Sequence, residues 1–113
     1  MTTIELTSAD DGRSIVATPG DEIVVLLAEN ATTGYRWHAQ VHGDAVVLEA
    51  DGYRPPSLPE PSQPVFGRGG QREFRFRVLT PGSAILGLKL WREWEGESSV
   101  LERVTVTVEA APG

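Results

Sequence analysis

Apolar and polar positions alternate with period two along much of the chain. Ile4 and Leu6 share one face, Ile15 and Ala17 another, and Phe74, Phe76 and Val78 alternate with Arg75 and Arg77, the pattern of strands with one buried and one wet face. Near the C-terminus Val104, Val106 and Val108 alternate with Thr105, Thr107 and Glu109, while Ala84, Leu86, Leu88 and Leu90 supply a matching register. These two segments are expected to pair as a closing hairpin. The run from Glu22 to Ala28 is apolar on both faces, as in a central strand, and Tyr35 to Val41 follows as its successor with Trp37 as a core aromatic. Turn-forming groups stand where the strands should end: Asp10-Asp11-Gly12, Pro19-Gly20-Asp21, Thr33-Gly34, Asp51-Gly52, Gly67 to Gly70, Pro81-Gly82 and Glu95-Gly96. No stretch carries a 3.6-residue apolar stripe over three turns with a cap, so helices are limited to single turns. The pattern predicts an all-β sandwich of about seven strands, with a small barrel as the alternative.

Composition narrows what such a fold could do. A chain of 113 residues suits a single domain, 1–113, with one core. There is no cysteine, which removes disulfides, thiolate metal sites and thiol nucleophiles. With 16 acidic and 10 basic residues the formal net charge is -6, which repels phosphate backbones and anionic lipid, so neither nucleic acid nor a membrane surface is an expected partner. No apolar run approaches the ~20 residues of a membrane span. The first residues, Met1 to Glu5, lack the basic and apolar regions of a secretory signal. The expectation is a cytoplasmic monomer, or an exported one if the sequence is a trimmed product. The segment Arg54 to Pro64 holds five of the eight prolines and reads as a long, stiffened loop. Its PxxP spacings lack a basic residue at the offset that a polyproline ligand requires.

Candidate catalytic groups are hard to assemble. His38 and His42 share a face of one expected strand, but four residues of strand separate them by roughly 13 Å, too far for one zinc ion. No metal or cofactor is expected. No serine sits in a G-x-S-x-G turn, and the glycines at 67–70 lack a P-loop lysine and helix. The carboxylate pairs Glu93/Glu95 and Asp10/Asp11 fall on exposed turns, where solvent should keep their pKa values near normal. The reading is therefore of a protein that is not an enzyme.

Three inter-strand segments are more elaborate than simple connections need. The first, Asn30-Ala31-Thr32-Thr33-Gly34-Tyr35, offers a glycine able to take positive φ and threonines at a loop tip; on these residues alone a plain turn held by Asn30 and Thr32 is the simpler account. In the second, Gly67-Arg68-Gly69-Gly70, three glycines strip side chains from the backbone and open it to a partner's main chain; a flexible hairpin end is the simpler account. The third, Trp91-Arg92-Glu93-Trp94-Glu95-Gly96, places Trp91 against the sheet's second face and Trp94 in the turn. An indole left in solvent there is an interface anchor: covering ~150–250 Å² at about 25 cal/mol per Å² amounts to roughly 4–6 kcal/mol before entropy costs. The competing placement folds Trp94 back on its own sheet.

Together these segments, NATTGY, GRGG and REW, resemble the chagasin family of cysteine-peptidase inhibitors, whose pattern is an NPTTGY-like loop, a GxGG loop and an RPW loop on an immunoglobulin-like β-sandwich. The order and spacing of the motifs span nearly the whole chain. The resemblance implies a reversible, non-covalent inhibitor whose loops form a wedge in the cleft of a papain-like cysteine peptidase. It implies peptidase-binding residues Asn30, Ala31, Thr32, Thr33, Gly34 and Tyr35, then Gly67, Arg68, Gly69 and Gly70, then Arg92, Glu93 and Trp94. Of these, Thr32 and Thr33 would lie near the catalytic thiol, the glycines along the non-primed side, and Arg92 with Trp94 on the primed side. Ala31 and Glu93 stand where the family has proline, so each loop lacks a φ restraint that stabilises a preorganised state by about 0.4–1 kcal/mol. The acidic flanks of Trp94 favour peptidases with basic primed-side surfaces. The alternative function is an adhesion or carbohydrate-binding module in which Trp94 stacks on a sugar; a glycan array set beside a protease panel separates the two.

Overall fold

The computed structural model describes residues 2–55 and 70–112. Among these, eight strands form two four-stranded sheets packed face to face as an immunoglobulin-like sandwich. The strands are β1 (Thr3–Leu6), β2 (Ser14–Ala17), β3 (Glu22–Glu29), β4 (Arg36–His42), β5 (Val46–Arg54), β6 (Gly70–Val78), β7 (Gly82–Trp91) and β8 (Glu102–Ala110). One sheet has the order β1-β3-β6-β5 and the other β2-β8-β7-β4. Each is antiparallel except at one edge, where β1 runs parallel to β3 and β2 parallel to β8. Among the described residues helical backbone is confined to three-residue 3-10 turns, and no helix is long and apolar enough to cross a membrane.

The alternating positions meet between the sheets. Leu6, Ile23, Val25, Leu27, Phe74, Phe76 and Val78 from one side pack on Ile15, Trp37, Leu86, Leu88, Val104, Val106 and Val108 from the other. The expected pairing of the last two strands is present as β7 with β8, Leu86 lying opposite Val106.

Two expectations are corrected. Asp51-Gly52 is not a turn: β5 runs through it, with a register shift between Leu48 and Ala50. As an edge strand bonded, among the described residues, to β6 alone, β5 turns mostly solvent-facing residues outward beyond Leu48, so the core imposes no apolar alternation there. The second concerns Asp10, whose carboxyl does not titrate as a freely solvated one. It accepts a hydrogen bond from the Thr7 N–H at 2.8 Å and another from Arg13, in that order the causes that hold its pKa below the ordinary value. Thr7 and Asp10 thereby cap the short turn Ser8–Asp10 reciprocally.

Strand register sets which connections share a pole. Glu29 lies opposite Gly70, Arg54 opposite Gln71, and Arg36 opposite Trp91. The chain therefore leaves β3, β5 and β7, and re-enters β4, β6 and β8, at one end of the sandwich. Residues 18–21, 43–45 and 79–81 lie at the other.

Candidate functional site

At the loop-bearing pole the first connection winds into a 3-10 turn, Ala31–Thr33. Asn30 is its N-cap: Oδ1 accepts from the Thr32 N–H at 3.1 Å and from the Thr32 hydroxyl at 2.7 Å. The Thr33 hydroxyl donates to the Asn30 carbonyl at 2.8 Å and accepts from the Tyr35 N–H. Gly34 closes the turn in the left-handed region, φ 80° and ψ -9°, which a side chain would resist. The self-bonded turn and the exposed loop tip, open alternatives in the sequence, thus coexist: both threonines are exposed, yet their hydroxyls are partnered locally.

The third connection begins at Arg92 and contains two short turns, Glu93–Glu95 and Glu97–Ser99. Buried Ser99 holds its base: the hydroxyl accepts from the Arg92 N–H at 3.0 Å and faces the carbonyls of Arg92 and Gly96. Glu97 anchors the outer side, accepting from Lys89 at 2.7 Å and from Arg103; the Lys89 bond, then the Arg103 bond, lowers its pKa. Trp91 lies on the outer face of β7 as expected, with the Lys89 ammonium 3.5 Å from its ring centroid and the His38 ring 6.0 Å away.

The first and third connections touch. The Arg92 guanidinium donates to the Thr33 carbonyl from Nε at 3.3 Å and from an Nη at 3.1 Å, lies 4.4 Å from the Tyr35 ring centroid, and bonds Glu95 at 3.3 Å. The Trp94 indole lies over Gly34, where a Cβ would come within 2.8 Å of its Cη2. Gly34 thus serves both the left-handed turn and the close approach. Trp94 remains 72% exposed, not folded into the sheet.

The second segment divides. Gly67, Arg68 and Gly69 lie outside the described residues, whereas Gly70 is the first residue of β6, buried and paired with Glu29. A Cβ at Gly70 would sit 2.1 Å from the Arg54 carbonyl and 2.6 Å from the Tyr53 hydroxyl, so tight packing demands glycine there.

Sequence reasoning missed Glu29 and Arg72. Glu29 follows Ile23, Val25 and Leu27 in the inward register of β3, and Arg72 precedes Phe74, Phe76 and Val78 in that of β6. Opposite charges at the pole ends of two inward-facing registers are a readable signal for an internal ion pair. His38 and His42 are exposed on β4, and among the described residues no three imidazoles or carboxylates gather to hold a metal ion.

Comparisons with known proteins agree with this architecture. A family model described as Chagasin family peptidase inhibitor I42 matches residues 16–108. Chagasin of Trypanosoma cruzi is 26% identical over 111 residues, covering 94% of this chain and 96% of that protein. Amoebiasin-2 of Entamoeba histolytica is 29% identical over 103 residues, covering 91% of this chain and 81% of the relative. The crystal structure of the cysteine protease inhibitor EhICP2 from Entamoeba histolytica superposes with a TM-score of 0.81, across 98% of this chain and 97% of that one, at 24% identity. That likeness is one of fold.

Proposed function

Because the chain belongs to the chagasin family of peptidase inhibitors, we propose that it is a reversible, non-covalent inhibitor of papain-like cysteine peptidases that inserts its loop-bearing pole into the active cleft. The observation carrying this reading is the direct contact of the first and third connections beneath an exposed indole: Arg92 on the Thr33 carbonyl and Trp94 on Gly34. In this reading Thr32 and Thr33 face the catalytic thiol, Gly67 and Gly69 line one side of the cleft, Arg92 and Trp94 line the other, and buried Gly70 ties the second segment into β6.

Physical chemistry explains how such a pole could bind without being cut. Thiolate attack needs a carbonyl held in line with the nucleophile on an extended segment. Here the tip is wound: the Asn30 carbonyl accepts from the Thr33 N–H at 3.2 Å and from the Thr33 hydroxyl, and Arg92 occupies the Thr33 carbonyl. Unwinding the turn to expose either carbonyl breaks several bonds together. The same bonds lower the ordering cost of association, and the exposed Trp94 contributes apolar area that only a partner covers. No chemistry of the inhibitor's own is required.

The test is titration of papain and a second papain-like peptidase with the purified protein. Competitive inhibition, relieved on dilution with the inhibitor recovered uncleaved, is the expected result. Full activity of both peptidases in micromolar excess of the protein would overturn the reading.

A further inference from the structure

We infer that Glu29 is a positioning residue of the binding pole, one buried carboxylate that sets the first loop and the entry to β6 in fixed relation; its effect on inhibition rests on the function proposed above. Glu29 is the last residue of β3, immediately before the Asn30 turn, and its side chain is 1% exposed. Oε1 accepts from the backbone N–H of Trp37 at 2.6 Å. Trp37 lies just beyond the other end of the loop, on an edge strand of the opposite sheet, so the carboxylate spans the loop's two stems and joins the two sheets. Oε2 accepts from Arg72 at 2.8 Å, and Nε of Arg72 lies 3.2 Å from Oε2 and 3.3 Å from Oε1. Arg72 stands two residues after Gly70, donates its remaining Nη to Asp51 on β5 at 3.0 Å, and lies 5.6 Å from the Tyr53 ring centroid. The Trp37 indole N–H adds a second tie across the loop, to the Ala28 carbonyl at 2.9 Å. Four strands therefore meet on Glu29 and Arg72 at the pole that carries the loops.

Stability alone is a weak reason to place this pair at inward positions. Removing two charges from water offsets most of their attraction, and apolar residues of similar volume hold a core as well. What an apolar pair lacks is direction. A carboxylate that accepts from three nitrogens at set angles, two of them the planar fork of Arg72, fixes the orientation of the groups around it. A Leu or Met pair at 29 and 72 would leave the loop stems free to shift by side-chain repacking.

Glu29→Gln tests this because it keeps the shape, and an oxygen for the Trp37 N–H, while removing the charge that Arg72 grips; Arg72→Lys keeps the charge and removes the fork. Both are measured for papain inhibition, thermal stability and backbone amide NMR shifts of the free protein. The expected result is a Ki raised at least about tenfold in each variant, through faster dissociation. Amide shifts should change across residues 30–37 and not at the far pole around Gly20 and Gly82. Unchanged amide shifts in 30–37 in either folded variant would overturn the inference, as would a Ki that rises only in proportion to the unfolded fraction. The shift measurement needs no peptidase, so it decides the positioning role even if the wild-type protein inhibits none. If Glu29→Gln does not fold, Arg72→Lys alone carries the same comparison.

Discussion

At the scale of single residues, Trp94 and Gly34 divide one task. Glycine permits the left-handed backbone and leaves the surface on which the indole rests, and Trp94, 72% exposed as a residue, offers its remaining area outward. A side chain with so much surface in solvent contributes little to folding, whereas a buried aromatic at an interface centre contributes much to binding. Trp94→Ala is therefore expected to weaken peptidase binding by about 2–4 kcal/mol while the melting temperature barely moves. Inhibition kinetics beside a thermal melt check it; a large fall in melting temperature would mean that the indole packs as core. The exposure of Trp94 was legible in the sequence because it stands among glutamates and beside Gly96, outside the apolar register of β7. Its seat on Gly34 was not, because the two residues are sixty positions apart and meet only through strand pairing.

At the scale of elements, the first loop shows how hydrogen bonds substitute for a missing ring. Ala31 opens the 3-10 turn at a position where proline would restrict φ. In this chain the Asn30 cap and the Thr33 hydroxyl hold the turn instead. Asn30 itself is extended, φ -105° and ψ 107°, a conformation that a following proline accepts. Ala31→Pro is thus expected to tighten inhibition by about 0.4–1 kcal/mol, a few-fold in Ki, by narrowing the unbound loop's ensemble. Titration of a papain-like peptidase with the variant reads this directly, and weaker inhibition would mean that the bound turn departs from its free form. Strand β5 marks the limit of local reading. The period-two rule finds strands through the face they bury, and an edge strand with a bulge and mostly solvated side chains lacks that face.

At the scale of the whole molecule, the two poles do different work. Far from the loops, Asp21 is buried at the 18–21 turn, its carboxylate accepting from the N–H groups of Thr18 at 2.9 Å and Thr2 at 3.0 Å and from the Thr18 hydroxyl. The Thr18 backbone bond first, then that from Thr2, lowers its pKa. A carboxyl whose folded pKa lies below its unfolded value contributes stability that is present above about pH 4 and is lost as pH falls through the folded value. Asp21→Asn turns an amide NH2 toward one of those donors. It is expected to lower the melting temperature at neutral pH, the gap to wild type closing as the solution is acidified below about pH 4, with Ki unchanged for the folded protein. Melts across pH, with an inhibition assay at neutral pH, measure both parts; a changed Ki would show that the poles are coupled.

The residue pattern alone specified the strands that bury a face, the turns between most of them, and the loop motifs of a known family. These are local properties, set by the two-residue pleat and by what glycine and proline allow the backbone. It took the assembled sandwich to bring the first and third loops into contact, to complete the sheet with β5, and to join Glu29 and Arg72, 43 residues apart, in one carboxylate–guanidinium contact inside the pole. Contacts of that kind depend on which strands pair and in what register, and pairing is settled by the fit of the whole core, which no short stretch of sequence contains.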